Sequence, residues 1–397
     1  MRVSTAGTFL TGLTGIQRLQ TALDQTQRQI ASGRRLLTPS DDPIAAGRAL
    51  ELRESLSRLD QFERNGGIAR NRLALGESAL KSANDVLQRV RELAVQANNA
   101  TQSNESRELI AIEMREQLDN LVQIANQKDG SGAYLFSGNL SETTPVTRLG
   151  ANFTYNGDQG QRLIQIGEGR QIADGDPGSS IFFKIRTGNG SFTVNPSAGN
   201  TGTGVVGTNS VTDPTQYNLD SYQVRFIDPA NYEVLDGGGT VVQTGAFQPG
   251  QTIAIGGIEL SIDGQPAAND EFQVSPSGYQ NVFESIDALA NAVARPVYDD
   301  ATRAALNNDV NANMLNIDQG LGAILDVRTQ VGSRLAAIES QTDTNASLGL
   351  TIQETLSALQ DLDYAEALSR LSLNVTTLEA AQQSFVRTQQ LSLFDYF

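Results

Sequence analysis

Apolar residues recur at alternating steps of four and three along both ends of this 397-residue chain. Ala45, Ala49, Leu52, Leu56 and Leu59 open one series, and Leu73, Gly76, Leu80, Ala83, Leu87, Val90, Ala94 and Ala97 continue it. Towards the C-terminus the series is Val310, Met314, Ile317, Leu321, Ile324, Arg328, Val331, Leu335 and Ile338. It resumes at Ile352, Leu356 and Leu359, and again at Leu368, Leu371, Val375, Leu378 and Phe385. A repeat of about 3.5 residues draws a narrow stripe along a helix, which keeps facing a partner helix only if the two supercoil. Long paired helices are predicted for both flanks. Leu10, Leu13, Ile16, Leu23 and Ile30 supply the matching stripe near the N-terminus.

The centre follows a period of two. Tyr222, Val224 and Phe226 alternate, as do Ile258, Leu260 and Ile262, then Phe272 and Val274, which predicts short strands. Gly237-Gly238-Gly239, Gly256-Gly257 and the hairpin-type Asp263-Gly264 separate them. The run from Ser197 to Thr212 is rich in Gly, Thr and Asn and reads as a mobile surface loop. Residues 151–280 hold 21 of the 37 glycines and seven of the 11 prolines, whereas 281–397 hold four and one. The predicted fold is α+β and multidomain: N- and C-terminal helices form a coiled coil or bundle around a central β-rich insertion. The expected divisions are an N-terminal arm at 1–45, bundle halves at 46–150 and 281–350, a β-rich outer domain at 151–280 and a C-terminal arm at 351–397.

Composition removes much chemistry. The chain has no His, no Cys and no Trp. Without His there is no imidazole base and no Ser-His-Asp triad, and without Cys no thiol nucleophile, iron–sulfur cluster or disulfide. The net charge of −16 argues against a nucleic-acid footprint, which needs clustered cations. No apolar run reaches the length of a membrane helix, and the start is amphipathic rather than a cleavable signal. A structural protein is expected, not an enzyme, with no cofactor, no metal, no nucleic-acid partner and no membrane insertion.

Several patterns imitate sites. Gly202-Thr-Gly204-Val-Val-Gly207 matches a dinucleotide fingerprint, but no helical period follows it. Asp174-Gly-Asp176 lacks the remaining ligands of a calcium loop and reads as a surface turn. Asp41-Asp42 and Asp299-Asp300 read as residues at helix starts.

More specific is Ile30-Ala-Ser32-Gly33-Arg-Arg-Leu-Leu-Thr-Pro39-Ser40-Asp41-Asp42-Pro43. Gly33 disfavours helix continuation, Pro39 biases Thr38 away from the α region, and Ser40 or Asp41 is placed to cap a helix that has Pro43 in its first turn. This stretch resembles the N-terminal segment of flagellins and hook-associated proteins, particularly the hook–filament junction type. Asp361-Leu-Asp363-Tyr364-Ala-Glu-Ala resembles the segment before the last helix of that family, and Leu391-Ser-Leu393-Phe394-Asp-Tyr-Phe resembles the junction-type tail. Gly132-Ala-Tyr-Leu-Phe-Ser-Gly138 and Tyr155-Asn-Gly-Asp158 agree with it. The resemblance weakens between about 185 and 250.

The resemblance implies an adaptor of the bacterial flagellum, exported uncleaved through the flagellar type III apparatus and located outside the cell. Its implied partners are flagellin, the first hook-associated protein, an export chaperone on the C-terminal arm, and further copies of itself in a ring. The terminal helices, with the ten stripe residues of the two arms named above (Leu10 to Ile30, Leu368 to Phe385), would form the subunit interface. Charge adds support, since residues 1–50 carry six Arg against three Asp and residues 351–397 two Arg against six acids. Opposite signs favour heterotypic pairing, though each exposed contact contributes only about 0–1 kcal/mol. Because these stripes are narrow, the arms are expected to order only when neighbouring subunits cover them. Flagellin itself is the nearest alternative. A secreted adhesive module, suggested by 12 of the 23 aromatics lying in residues 151–280, comes from a different class.

Overall fold

The computed structural model describes residues 5–394, with side chains for residue 7 and residues 9–388, and it divides into two compact units. One unit comprises the residues up to Arg64 together with those from Ser340 onward, and the other is Asn65–Glu339. Both boundaries fall within long helices, α2 (Pro43–Ala97) and α5 (Asp300–Gln360).

The first unit is entirely helical apart from two chain reversals. Helices α1 (Thr5–Ser32) and α6 (Tyr364–Phe394) pair antiparallel, and the ends of α2 and α5 complete the unit. Gly33 ends α1 with a φ of +68°, a conformation glycine adopts without steric cost. Pro43 occupies the first helical position of α2, where its missing N–H is not needed. The cap is Asp42, not the expected Ser40 or Asp41: its Oδ1 accepts from the N–H of Ala45 at 3.0 Å.

The second unit has two cores. In the helical core, the predicted α2 positions Leu73, Leu80, Ala83, Leu87, Val90, Ala94 and Ala97 are all buried. Val310, Ile317, Ile324, Val331 and Ile338 of α5 are buried with them, together with the apolar faces of α3 (Asn104–Ala125) and α4 (Val282–Ala294). Asp299 caps α5 by accepting from Thr302 N–H at 2.8 Å, as the sequence predicts. Two hairpins, β1 (Val146–Leu149) with β2 (Asn152–Tyr155) and β3 (Leu163–Gly167) with β4 (Arg170–Ala173), lead into the strand region. There β5 (Ile185–Arg186) pairs with β14 (Tyr279–Gln280), so the chain enters and leaves the β domain through one neck.

Beyond the neck, two antiparallel sheets enclose the second core. Strands β6 (Phe192–Pro196), β8 (Tyr222–Asp228), β9 (Asn231–Asp236), β10 (Val241–Ala246) and β13 (Glu271–Pro276) form one sheet, in the order β10-β9-β8-β13-β6. The other contains β7 (Val205–Val211), β11 (Thr252–Ile255) and β12 (Ile258–Asp263), in the order β11-β12-β7. The alternating residues Val224, Phe226, Ile258, Leu260, Ile262, Phe272 and Val274 all point into this core. Asparagines of α5 hold the domain: Asn308 accepts from Val206 N–H at 2.8 Å and donates to Gly204 O at 2.9 Å, and Asn316 accepts from Gly188 N–H at 2.8 Å.

Three further local expectations change. The Ser197–Thr212 loop contains strand β7, with Val206 buried against β12. Its Gly207 is a packing requirement, because a Cβ there would stand 2.5 Å from Ser261 Oγ. Asp263-Gly264 is not a hairpin turn: β12 and the next strand, β13, belong to different sheets.

The third change concerns Asp174 and Asp176, which are buried ion-pair partners and not a surface turn. Asp174 accepts from Arg162 Nε at 2.9 Å and lies 3.7 Å from Arg72 Nε. Asp176 is held by both terminal nitrogens of Arg334 at 2.7 and 2.9 Å. Arg72 also pairs with Asp129 and donates to Tyr134 O at 2.7 Å. Burial works against the charge on Asp129, but Ser131, the N–H of Ala133 and Arg72 outweigh it and hold the carboxyl below its ordinary value of 3.8.

Arg72→Ala leaves Asp129 and Asp174 buried without their shared cation and should destabilise this unit by about 3–5 kcal/mol in urea unfolding. Because the folded pKa of Asp129 is depressed, its contribution is complete above the unfolded value and is lost as pH falls through the lower folded one. The stability difference between parent and variant should therefore narrow below about pH 4.

Candidate assembly interface

The two chain reversals carry the two sequence motifs. They meet. Arg35 N–H donates to Gln360 O at 2.8 Å and Leu362 N–H to Gly33 O at 3.0 Å, a short antiparallel bridge between residues 33–35 and 360–362. Arg35 also reaches Leu359 O at 2.8 Å, and Arg53 reaches Gln360 Oε1 at 2.7 Å. Ser32 Oγ donates to Gln29 O at 3.2 Å. A Cβ added to Gly33 would lie 2.9 Å from the hydroxyl of the exposed Tyr364, so a side chain there would displace the tip of the tyrosine as well as strain the backbone. Asp363 caps α6 by accepting from Ala365 and Glu366 N–H at 2.9 and 3.1 Å.

The Pro-Ser-Asp-Asp-Pro bend is fixed by its own carboxylates. Asp41 Oδ2 accepts from Thr38 N–H at 2.8 Å and Leu37 N–H at 2.9 Å, and these two donors hold its carboxyl below the usual range. Ser40 Oγ lies 2.7 Å from Thr38 Oγ1. Pro39 sits within this bend, three residues before the cap Asp42.

From the bridge, α1 and α6 run back along each other. The inward positions of α1 are Gly12, Ile16, Leu19, Leu23, Thr26 and Ile30, with Gln29 also buried. Opposite them on α6 are Ala367, Leu371, Asn374, Leu378, Ala381 and Phe385. Phe385 lies over Gly12, where a Cβ would come within 2.8 Å of its ring, and packs 5.2 Å from the Phe9 ring. Of the predicted stripe residues, Ile16, Leu23, Ile30, Leu371, Leu378 and Phe385 therefore lie on this seam.

Four do not. Leu10 and Leu13 are 61% and 38% exposed, and Leu368 and Val375 are 53% and 37% exposed. Each lies one helical step off the seam. On α6, Leu368 and Val375 align with the exposed Tyr364 and Val386 in a second apolar stripe, which no part of the described unit covers. Gly12, Leu19, Thr26, Ala367, Asn374 and Ala381 are the seam residues missed from sequence. Three-four stepping from Gly12 and from Ala367 would have found them, but small and polar residues at those steps concealed the pattern. Among the described residues, the opposite net charges of the arms do not become ion pairs across the seam: Arg28 pairs with Asp24 at 2.8 Å and Arg370 with Glu366 at 3.7 Å, each along its own helix. The side chains of Leu393 and Phe394 lie outside the described residues.

Comparison with known proteins agrees with this geometry. Residues 3–141 match the bacterial flagellin N-terminal helical region, and residues 314–397 match the C-terminal helical region. The crystal structure of FlgL from Xanthomonas campestris is 36% identical, with a TM-score of 0.73, and the match covers 77% of this chain and 99% of that one. The chain belongs to the FlgL family of flagellar hook-associated proteins. Hook-associated protein 3 from Legionella pneumophila is similar too, at 30% identity and a TM-score of 0.74 over 78% of this chain and 98% of its own. Flagellar hook-associated protein 3 of Escherichia coli K12 is 24% identical over 394 residues, 99% of each chain. The FlgL family is structural, not enzymatic, and forms part of the extracellular flagellum. Among the described residues, no helix is long and apolar enough to cross a membrane.

Gly33→Ala should lower the stability of the paired arms by about 1–2 kcal/mol, from the left-handed backbone alone. Following thermal unfolding of salt-assembled protein at 222 nm checks this. Adding Tyr364→Phe, which removes the crowding hydroxyl, should recover only the part of the loss due to the close contact.

Proposed function

We propose that this chain is the adaptor that joins the flagellar hook, through the first hook-associated protein, to the flagellin filament. In this reading the protein forms a ring of its own copies. Its terminal arms (1–45 and 351–397) line the inner channel, and the β-rich domain faces outward. Export runs through the flagellar type III apparatus without cleavage, with a chaperone holding the C-terminal arm beforehand. The observation that carries the reading is the extent of similarity. A protein called flagellar hook-associated protein 3 aligns along 99% of this chain, whereas flagellin 1 of Proteus mirabilis aligns along 34%. That difference favours the junction role over the filament subunit.

The uncovered stripe of Leu368 and Val375, together with Leu10 and Leu13, supports the proposed subunit contacts. One face of each arm is occupied by the other arm, and the adjoining apolar face remains for a neighbour. Burying such a face would contribute about 25 cal/mol per Å² of apolar surface removed from water. Assembly would then supply what a single chain lacks.

Deleting residues 363–397 should abolish filament attachment in motility and filament-shedding assays, while Asn65–Glu339 keeps its native unfolding transition. Filaments still held on hooks by the truncated chain would contradict the role given to the arms. Leu368→Glu should also release filaments, through the charge it brings to the free stripe, without disturbing the seam.

A further inference from the structure

We infer that Asn374, facing Thr26, sets the register of α1 against α6. The inference deepens the proposed adaptor role, on which its biological meaning rests, but the contact itself lies within one chain. The inward series of α6 is apolar except at Asn374. Its Nδ2 approaches Thr26 Oγ1 at 3.4 Å, and Thr26 is buried, with its own hydroxyl donating to Ala22 O at 2.8 Å. An amide placed in an apolar seam costs stability unless it is matched, so its value lies in excluding alignments that leave it unmatched.

Consider a slip of one heptad. It would bring Leu378 opposite Gly12 in place of Phe385, and it would carry Asn374 from Thr26 to Leu19. The apolar repeat alone tolerates that slip, because leucine would still meet aliphatic residues along most of the seam. Besides the bridge between residues 33–35 and 360–362, which such a slip would break, two features of the seam itself oppose it. Asn374 would be desolvated against Leu19 with no partner, and Phe385 would lose the notch at Gly12, where a Cβ would come within 2.8 Å of its ring. The bridge acts at one end of the helices and the notch near the other, whereas the Thr26–Asn374 layer acts between them. Each arm stripe that awaits a neighbour is thereby held at a fixed height along the coil.

The cysteine-free chain permits a direct test. Gly12→Cys is combined with Phe385→Cys to report the native register, or with Leu378→Cys to report the slipped one. Disulfide yield is read on the purified full-length chain at the sulfate concentration where far-UV circular dichroism shows that helix content has levelled off. With Asn374 in place, the native pair should dominate. Asn374→Leu should raise the slipped yield about tenfold relative to the native one, with helicity unchanged or higher. The exchanged pair Thr26→Asn with Asn374→Thr should restore the native preference. An unchanged ratio in Asn374→Leu, equal yields of both pairs in the parent, or no native cross-link at all would each overturn the inference. Filament retention in cells is not used in this assay, so failure of the adaptor role would be seen separately.

Discussion

The constraint on which this structure depends is that two helices from opposite ends of the sequence must find each other. Helices α1 and α6 are separated by more than three hundred residues, and neither has a core of its own. Their seam is one residue wide and interrupted by Gly12, Thr26, Ala367, Asn374 and Ala381. What brings them together is the bridge of Gly33, Arg35, Gln360 and Leu362, where two backbone hydrogen bonds and the Gly33–Tyr364 fit leave little freedom. A helix end with a positive φ at Gly33 lies against the hydroxyl of Tyr364, which ties one residue of each motif to the other.

The second unit meets folding in the opposite way. It has two continuous apolar cores, asparagine-mediated docking of the β domain on α5, and buried carboxylates matched by arginine at Asp174 and Asp176 and by backbone N–H groups at Asp270. Buried ion pairs of this kind add little net stability but make a wrong arrangement costly. One unit is self-sufficient. The other carries apolar surface beyond what its own helices cover, the property expected of a segment that completes its core with neighbouring copies.

Much of this was legible in the sequence because periodicity reports burial directly. The steps from Leu73 to Ala97 and from Val310 to Ile338 predict core positions that the structure buries, and the alternation in β8, β12 and β13 does the same for the sandwich. Legibility failed where position depends on a distant partner. Asp174 and Asp176 resemble any acidic turn until Arg72 and Arg334 approach from elsewhere in the chain. Strand β7 was hidden because glycine, which lowers strand propensity, is required there by the closeness of Ser261. In the arms, apolar residues on the free stripe looked equivalent to those on the seam. The contrast between Leu368 and Leu371 is set by α1, to which the local pattern of α6 does not refer.

Amide hydrogen exchange, compared between a verified monomer and the assembled protein, tests most directly whether the arms gain their order from neighbouring subunits. The account predicts fast exchange across α1 and α6 in the monomer, slow exchange in both states for the buried helices of Asn65–Glu339, and strong protection of the arms only after assembly. Slow exchange throughout both arms of a proven monomer would contradict it.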